Sequence, residues 1–398
     1  MGAIEYEWVN PRSLEEARER LGLAPRDVAD QSRGLGADYA GITEAAVVSW
    51  ERGTAQPELR HLEALSEIYV CPVGWFFLPS IPSQPERLNH RGVARGAKIG
   101  GHGMQILSRF VELGEWAERI AIQTGQLKSP SLEHADLRAD VESLAERERR
   151  RLGFDDGVRQ QWLYNDDALN WWRRAIERLG VFCFVMRLPT SEVRGASFWG
   201  KHGAAFILVN SEDAEAATGR TFSLVHEYAH LILGEGYVCD FRGSDGGKEV
   251  ERFANVFAAR MLVGPDELTR RLQELGIARW QERWGDATID SIREPFRVSR
   301  DVVAIYLEEL QFAPVGFYAE KRASWAKRRG FGRGGARAVG RTLAVQKLRM
   351  VGSRLAEVLS SREAEASLSP LDLAEMLEVK VERVPGILSA FKEASGAR

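Results

Sequence analysis

The sequence predicts an α+β fold for the middle of the chain, flanked on both sides by helical regions. Three observations carry that expectation. From Asn165 the apolar residues Leu169, Trp172, Ile176 and Leu179 recur at helical spacing, and Gly180 supplies a stop. Two strand-like runs follow, VFCFVM immediately after the glycine and Gly203 to Asn210 further on. The segment TFSLVHEYAHLILG, ending at Gly234, is then apolar on nearly every side, so it predicts a helix that must be buried.

At 398 residues the chain exceeds one ordinary core, and a length of this order corresponds to roughly two to four compact units. Hydrophobic residues at 44% and charged residues at 28% exclude wholesale disorder. No basic-then-apolar leader opens the sequence and no apolar run reaches bilayer length, which predicts a soluble, cytoplasmic protein with no membrane partner. Cys71, Cys183 and Cys239 are widely spaced and odd in number, so they frame neither a disulfide set nor a CxxC knuckle.

Residues 1–82 form the first predicted region, a small all-helical unit. Leu62, Leu65 and Ile68 mark one apolar stripe, Trp50-Glu51-Arg52-Gly53 closes one helix with a glycine, and Pro57 opens the next. Trp50 is expected in the core. A polar stretch from Ser80 to Gly103 leads into a helical connector over 83–160, containing Phe110, Leu113, Trp116 and Ile120. The α+β region spans 161–312, and 313–398 is a basic, mostly helical C-terminal region. A net charge of −3 gives the whole molecule no pull on nucleic acid. Between Lys321 and Met350, however, ten Lys and Arg stand without one Asp or Glu. Lys327, Arg328, Arg329, Arg333 and Arg337 are its candidate nucleic-acid contacts, with a plain solvated face as the alternative.

The chemistry concentrates in His226-Glu227-Tyr228-Ala229-His230, inside the buried helix. Residues four apart on a helix share a face, so both imidazoles can reach one metal ion while Glu227 flanks it. Two histidines at this spacing in an apolar helix are expensive to bury without a metal. Catalytic zinc takes three protein ligands and leaves one position for water, whose proton a neighbouring carboxylate can accept. Glu227 is the candidate for that catalytic role. Zinc is the expected ion, and manganese also suits a set with an oxygen ligand. Glu235, Cys239, Asp240, Asp245, Glu249 and Glu251 all follow as candidates for the third ligand. In KEVERFANVFAARMLVGP, Glu251 shares a stripe with Ala254, Asn255, Ala258 and Leu262, a mostly small face that lets two helices approach, while Glu249 points elsewhere.

The strings ILVN, GRTFSLVHEYAHLILG and ERFANVFAARMLVGP resemble the ImmA/IrrE family of metallopeptidases, through Asn210, Arg220, Phe222, His226, Glu227, His230, Glu251, Ala254, Asn255 and Pro265. Tyr228-Ala229 departs from the family's usual Leu-Gly, and Val263-Gly264 precedes the proline. The resemblance implies a zincin-like metallopeptidase domain in which Glu251 is the third ligand. VSRDVVAIYLEEL and SPLDLAEMLEVK are similar to segments that trail this domain in long family members. WERGTAQPELRHLEAL with FFLP resembles their N-terminal helix-turn-helix of the Xre type.

By that resemblance the substrate is a partner regulator, a helix-turn-helix repressor or an antitoxin, cleaved to control a stress, mobile-element or defence response. The alternative is a DNA-binding transcription regulator whose metal domain is a sensor. The recognition helix would be ITEAAVVSWERG, where Thr43, Glu44, Ser49 and Arg52 are the candidate DNA or partner contacts, and Ala45, Ala46, Val47 and Val48 offer none to bases or phosphates. The insert RGLGADYAG lengthens the usual turn before it. Strand Gly203 to Asn210, if it lies at a sheet edge, could align an extended substrate by backbone pairing. No sequence feature marks an oxyanion helper; Tyr228 and Tyr237 are nearby phenols whose ordinary role is packing.

Overall fold

A computed structural model describes residues 9–33, 41–69, 71, 73–81, 101–187, 193–211, 216–234, 238–240, 248–277, 280–328 and 342–395. The chain divides into two compact units, one comprising Met1–His90 with Lys98–Arg109 and the other Arg91–Ala97 with Phe110–Arg398. The expected connector, α+β and C-terminal regions therefore share one unit from Phe110 onward. Among the described residues no helix is long and apolar enough to cross a membrane.

The first unit is built from α1 (Pro11–Arg20), α2 (Pro25–Ser32), α3 (Glu44–Glu51) and α4 (Leu59–Tyr69), followed by a 3-10 turn at Val73–Phe77. Local chemistry sets the helix starts. Asn10 accepts from the Arg12 amide at 3.0 Å ahead of Pro11, and Thr43 accepts from the Ala46 amide at 3.1 Å. The predicted stripe Leu62, Leu65 and Ile68 is buried together with Leu14, Val28, Val47, Trp50 and Phe76. Arg18 clamps α1 to α3 by a two-pronged pair with Glu51 at 2.7 and 2.9 Å, both side chains nearly out of solvent.

Helix α5 (Gly101–Gln123) passes from the first unit into the second at Phe110, and the second unit continues through α6 (Val141–Leu152), the short α7 (Asp156–Gln160) and α8 (Asn165–Arg178). Next come β1 (Phe182–Met186), β2 (Val193–Trp199) and β3 (Ala205–Asn210), then α9 (Ala216–Ile232), β4 (Val238–Asp240) and α10 (Lys248–Leu262). It closes with α11 (Pro265–Glu274), α12 (Asp286–Arg293), α13 (Arg300–Glu309), α14 (Phe317–Arg328), α15 (Leu343–Leu359), α16 (Arg362–Ser367), α17 (Pro370–Leu377) and α18 (Val384–Ser395). This is the expected α+β, zincin-like arrangement.

The four strands lie in the order β1-β3-β2-β4, with β1 parallel to β3 and the other two pairs antiparallel. β3 is thus interior, with all six residues buried, which corrects the expectation that it could be an edge that receives substrate. Its unbroken apolar run is what a strand covered on both faces requires. The strand beside it, β2, escaped the sequence reading, because VRGASFW carries a glycine and an arginine in a short run.

Alternation divides the sheet into two chemically distinct faces. Phe182, Phe184, Phe198 and Phe206 stack on one face, where Phe110 of α5 meets Phe184 and Phe198 edge-on. Gly114 of α5 lies where a Cβ would enter the Phe198 ring, so a glycine is needed for this approach. Glu118 of the same helix accepts from the amides of Lys201, His202 and Ala204 at 3.0–3.1 Å, which fixes the β2–β3 turn. The opposite face, with Cys183, Ile207 and Val209, joins the core built by α8, α9, α10 and α13.

The C-terminal region is pinned to this core. α15 packs on β1 and breaks at Gly352, whose φ of 81° and ψ of 172° belong to a region open only to glycine. Arg173 of α8 donates to the Arg349 and Met350 carbonyls at 2.5 and 3.3 Å and also to the Cys183 carbonyl. Glu177, fully buried with its carboxyl pushed upward by burial, accepts from the Ser353 amide at 3.1 Å and from its hydroxyl. A Cβ on residue 352 would collide with the Glu177 carboxylate and Arg173. Gly352→Ala should therefore lower stability by roughly 2–4 kcal/mol. Gly386→Ala, whose added methyl meets nothing within 4 Å on α18, should raise it by about 0.5–1 kcal/mol. Urea unfolding of both variants checks the contrast, and equal midpoints would show that the break is not held as described.

Candidate metal centre

Helix α9 runs through the middle of the second unit. Leu224, Val225, Tyr228, Ala229, Leu231 and Ile232 are all buried, so each side of the helix has a protein neighbour. His226 and His230 emerge one turn apart on one face, also without solvent exposure, and their Nε2 atoms stand 3.1 Å from each other. Burial holds the His230 pKa down at about 3, with His226 as the second cause, so its ring is neutral at physiological pH. Neutral imidazole is the form that ligates metals.

Helix α10 supplies the third donor. Ala254 and Ala258, both fully buried, give it a face without bulk, and it packs closely against α9. Glu251, two residues before Phe253, which stacks on Phe257 in the core, comes to 3.4 Å from His226 Nε2 and 3.5 Å from His230 Nε2. All three donors lie within 4.8 Å of one another. Ligands at about 2.0–2.1 Å from a tetrahedral ion stand roughly 3.3 Å apart from one another, so the spacing and the two-nitrogen, one-oxygen chemistry both fit a zinc-type ion. Glu251 keeps a quarter of its side chain exposed, which leaves an approach from solvent at this corner.

Glu227 is turned toward the sheet. One of its carboxylate oxygens accepts from Ser197 Oγ at 2.9 Å, and Gly195 lies directly beneath it. Both residues sit on β2, two apart and on one face, and neither was singled out by sequence reasoning. The available signal was the alternation through Gly195, Ser197 and Trp199, obscured by the strand's mixed composition.

The remaining expectations sort by geometry. Tyr228, two residues beyond His226, points about 200° around the helix from it. Its hydroxyl donates to Glu148 at 2.5 Å and accepts from Arg151 at 3.0 Å, and burial raises its pKa. It is a packing residue with a satisfied polar end. Glu249 is exposed on α10, away from the cluster. Arg220 ties the chain after β3 to α8, donating to the Ser211 carbonyl and to Asp166 at 3.3 and 3.4 Å. Glu235, Tyr237 and Asp245 lie outside the described residues, while Cys239 and Asp240 fall on β4. Of the basic run, Lys327 and Arg328 end α14, and Arg329, Arg333 and Arg337 lie outside the described residues.

In the first unit, Thr43, Glu44, Ser49 and Arg52 line one open depression together with Ala45, Val48 and Thr54. Two of those four are already engaged by their own helix. The Thr43 hydroxyl oxygen caps α3, and the Ser49 hydroxyl donates to the Ala46 carbonyl at 2.7 Å. Trp50 is in the core as expected, 5.0 Å from the His61 ring.

Residues 176–308 match the family model of the IrrE N-terminal-like domain, Peptidase_M78. The matched segment runs from the end of α8 into α13 and includes all four strands and both ligand-bearing helices. The match supports a metallopeptidase-like domain over this part of the chain. Searches of curated proteins and of solved structures returned no match.

Dialysed against excess Zn2+, the protein should retain one equivalent of metal, measured by inductively coupled plasma mass spectrometry. His230→Ala should weaken retention at least about 100-fold, the upper end of what loss of an outer-shell partner costs. Glu249→Gln, exposed on the same helix as Glu251, should change nothing. Retention by His230→Ala equal to wild type would place the ion elsewhere.

Proposed function

We propose that this chain is a zinc-dependent endopeptidase that cleaves a partner regulatory protein, a helix-turn-helix repressor or an antitoxin. The observation that carries the reading is the cluster of His226, His230 and Glu251, with donor atoms 3.1 to 3.5 Å apart, beside a carboxylate on the same helix as both histidines. A site that only stored a metal would have no use for Glu227.

His226, His230 and Glu251 would hold the ion, which when bound supplies Lewis acidity toward a peptide carbonyl and toward water. Glu227 takes a proton from the attacking water and returns it to the departing amine as the C–N bond breaks. The carboxylate enters and leaves the cycle ionised, so one group serves as base and then acid. Burial keeps the His230 imidazole neutral and so available as a ligand.

The partner class rests on the likeness of the sequence to long members of the ImmA/IrrE family. Two features favour recognition of a protein over DNA by the first unit. Between residues 9 and 81 the sequence has seven arginines and no lysine against eleven Asp and Glu, a balance that repels phosphates. On α3 the Thr43 and Ser49 hydroxyls are bound to backbone, which leaves Glu44 and Arg52 as its charged contacts in the depression. Its four short helices are compatible with a helix-turn-helix domain in form, and a partner that itself has such a fold offers a helical surface to match.

Incubating the zinc-loaded protein with helix-turn-helix regulators encoded beside its gene, and reading intact mass, tests the proposal. One regulator should be cut at a defined bond, and Glu227→Gln should lower the rate by more than about 10³-fold while still retaining metal. Cleavage that survives in Glu227→Gln would remove the assigned base. No cleavage by wild type, together with salt-dependent duplex DNA binding, would transfer the function to the transcription-regulator alternative.

A further inference from the structure

The general base is not positioned by its own helix alone. A glutamate on a helix has three rotatable bonds, and freezing them in one rotamer needs contacts from outside the helix. Strand β2 provides two of different kinds. Ser197, 1% exposed, donates its hydroxyl to Glu227 Oε2 at 2.9 Å, a hydrogen bond to a carboxylate oxygen in a dry setting. Gly195 provides space. A Cβ there would stand 2.6 Å from Glu227 Oε1, 2.8 Å from Cγ and 3.0 Å from Cδ, so the carboxylate would have to shift.

The two residues act from one platform. They lie two apart on β2 and so face the same side, toward α9. Antiparallel pairing with β3 fixes the strand, with Gly195 opposite Val209 and Ser197 opposite Ile207, while β4 meets its other edge at Val193 and Ala196 with an irregularity between them. The partners on β3 are fully buried core residues. A strand held in register by β3 through both positions does not follow a drifting side chain.

We propose that Ser197 is a positioning residue for Glu227, orienting its carboxylate through the Oγ–Oε2 hydrogen bond, and that residue 195 must be glycine to leave that carboxylate its place. The inference rests on the peptidase reading, because it assigns Glu227 a working orientation. Its consequence is that changes on β2 impair the base without touching a metal ligand. A misplacement on the order of 1 Å costs about 100-fold in rate.

The test uses acetohydroxamate, a small chelating acid whose acidic hydroxyl seeks a carboxylate next to the metal, and needs no knowledge of the substrate. Its affinity for the zinc-loaded protein is measured by calorimetry for wild type, Ser197→Ala, Glu227→Gln and the double variant, with metal content determined on each sample. Glu227→Gln should bind about tenfold more weakly, Ser197→Ala by a similar factor, and the double variant no more weakly than Glu227→Gln. Ser197→Thr, which keeps the hydroxyl, should recover most of the affinity, and Gly195→Ala should lose it with Ser197 intact. Full metal content in every variant is part of the expected result.

Wild-type affinity in Ser197→Ala, or effects of Ser197→Ala and Glu227→Gln that simply add, would overturn the proposal while leaving the peptidase reading in place. A zinc-loaded wild type indifferent to acetohydroxamate would instead remove the peptidase reading, and the inference with it. On the regulator cleaved by wild type, Ser197→Ala should lower kcat about 10- to 100-fold with KM little changed. An unchanged kcat there would equally overturn it.

Discussion

Everything at the centre of this protein depends on how closely α10 can approach α9. Glu251 is 21 residues from His230 in sequence, and it reaches both histidines only because Ala254 and Ala258 present no bulk between the helices. A larger residue at either position would widen the gap by more than the tolerance of a metal's coordination sphere, which is a few tenths of an ångström. The rest of the second unit can be seen as support for that contact. α9 is enclosed by the sheet, α8 and α10, and α13 backs α10, where the Tyr306 hydroxyl holds the Val263 carbonyl at the end of the ligand helix. Three polar donors in an apolar interior would be costly on their own. Their convergence at metal-ligand spacing gives that cost a function.

How much of this was legible beforehand depended on whether the signal was local. His226, Glu227 and His230 are fixed by helical periodicity, and the small stripe of α10 already separated Glu251 from Glu249. The central helix and the strands β1 and β3 follow from apolar runs and a glycine stop. What was not legible depends on pairing. β3 could have been an edge until β2 was seen to flank it, and β2 itself hides because Gly195 and Arg194 dilute its pattern. Ser197 carries no motif; only the fold brings it to Glu227, 30 positions later. The attachment of the C-terminal region was equally hidden. It turns on Gly352 accepting a conformation no other residue adopts, on which α15 can bend past Glu177 and Arg173.

The first unit shows a different limit. Residue type suggested four polar contacts on α3, and all four line one depression, yet hydrogen bonding distinguishes them. Thr43 and Ser49 spend their hydroxyls on the helix itself, as short polar residues at helix starts and on exposed turns tend to do. A polar side chain near a surface is therefore a weaker indication of recognition than a charged one whose head group reaches solvent. The acidic balance of this unit works in the same direction, because phosphate contacts supply most of the affinity of DNA-binding domains.

The division of labour within the site has a mechanical logic. The three candidate donors come from two helices, and a metal ion bound by them would correct small errors between them, because its bonds are strong. Under the proposed function Glu227 has no such corrector. As a base its carboxylate would have to meet a water and later a leaving amine at hydrogen-bond distance, so its accuracy would be only as good as the group that orients it. A strand paired in continuous register with β3 is a firmer support than a loop, which would pass its own motion to the carboxylate. Placing Gly195 and Ser197 on β2 therefore ties the Glu227 carboxylate to a strand held in register by β3, and would leave a bound metal to tolerate what motion α9 and α10 retain.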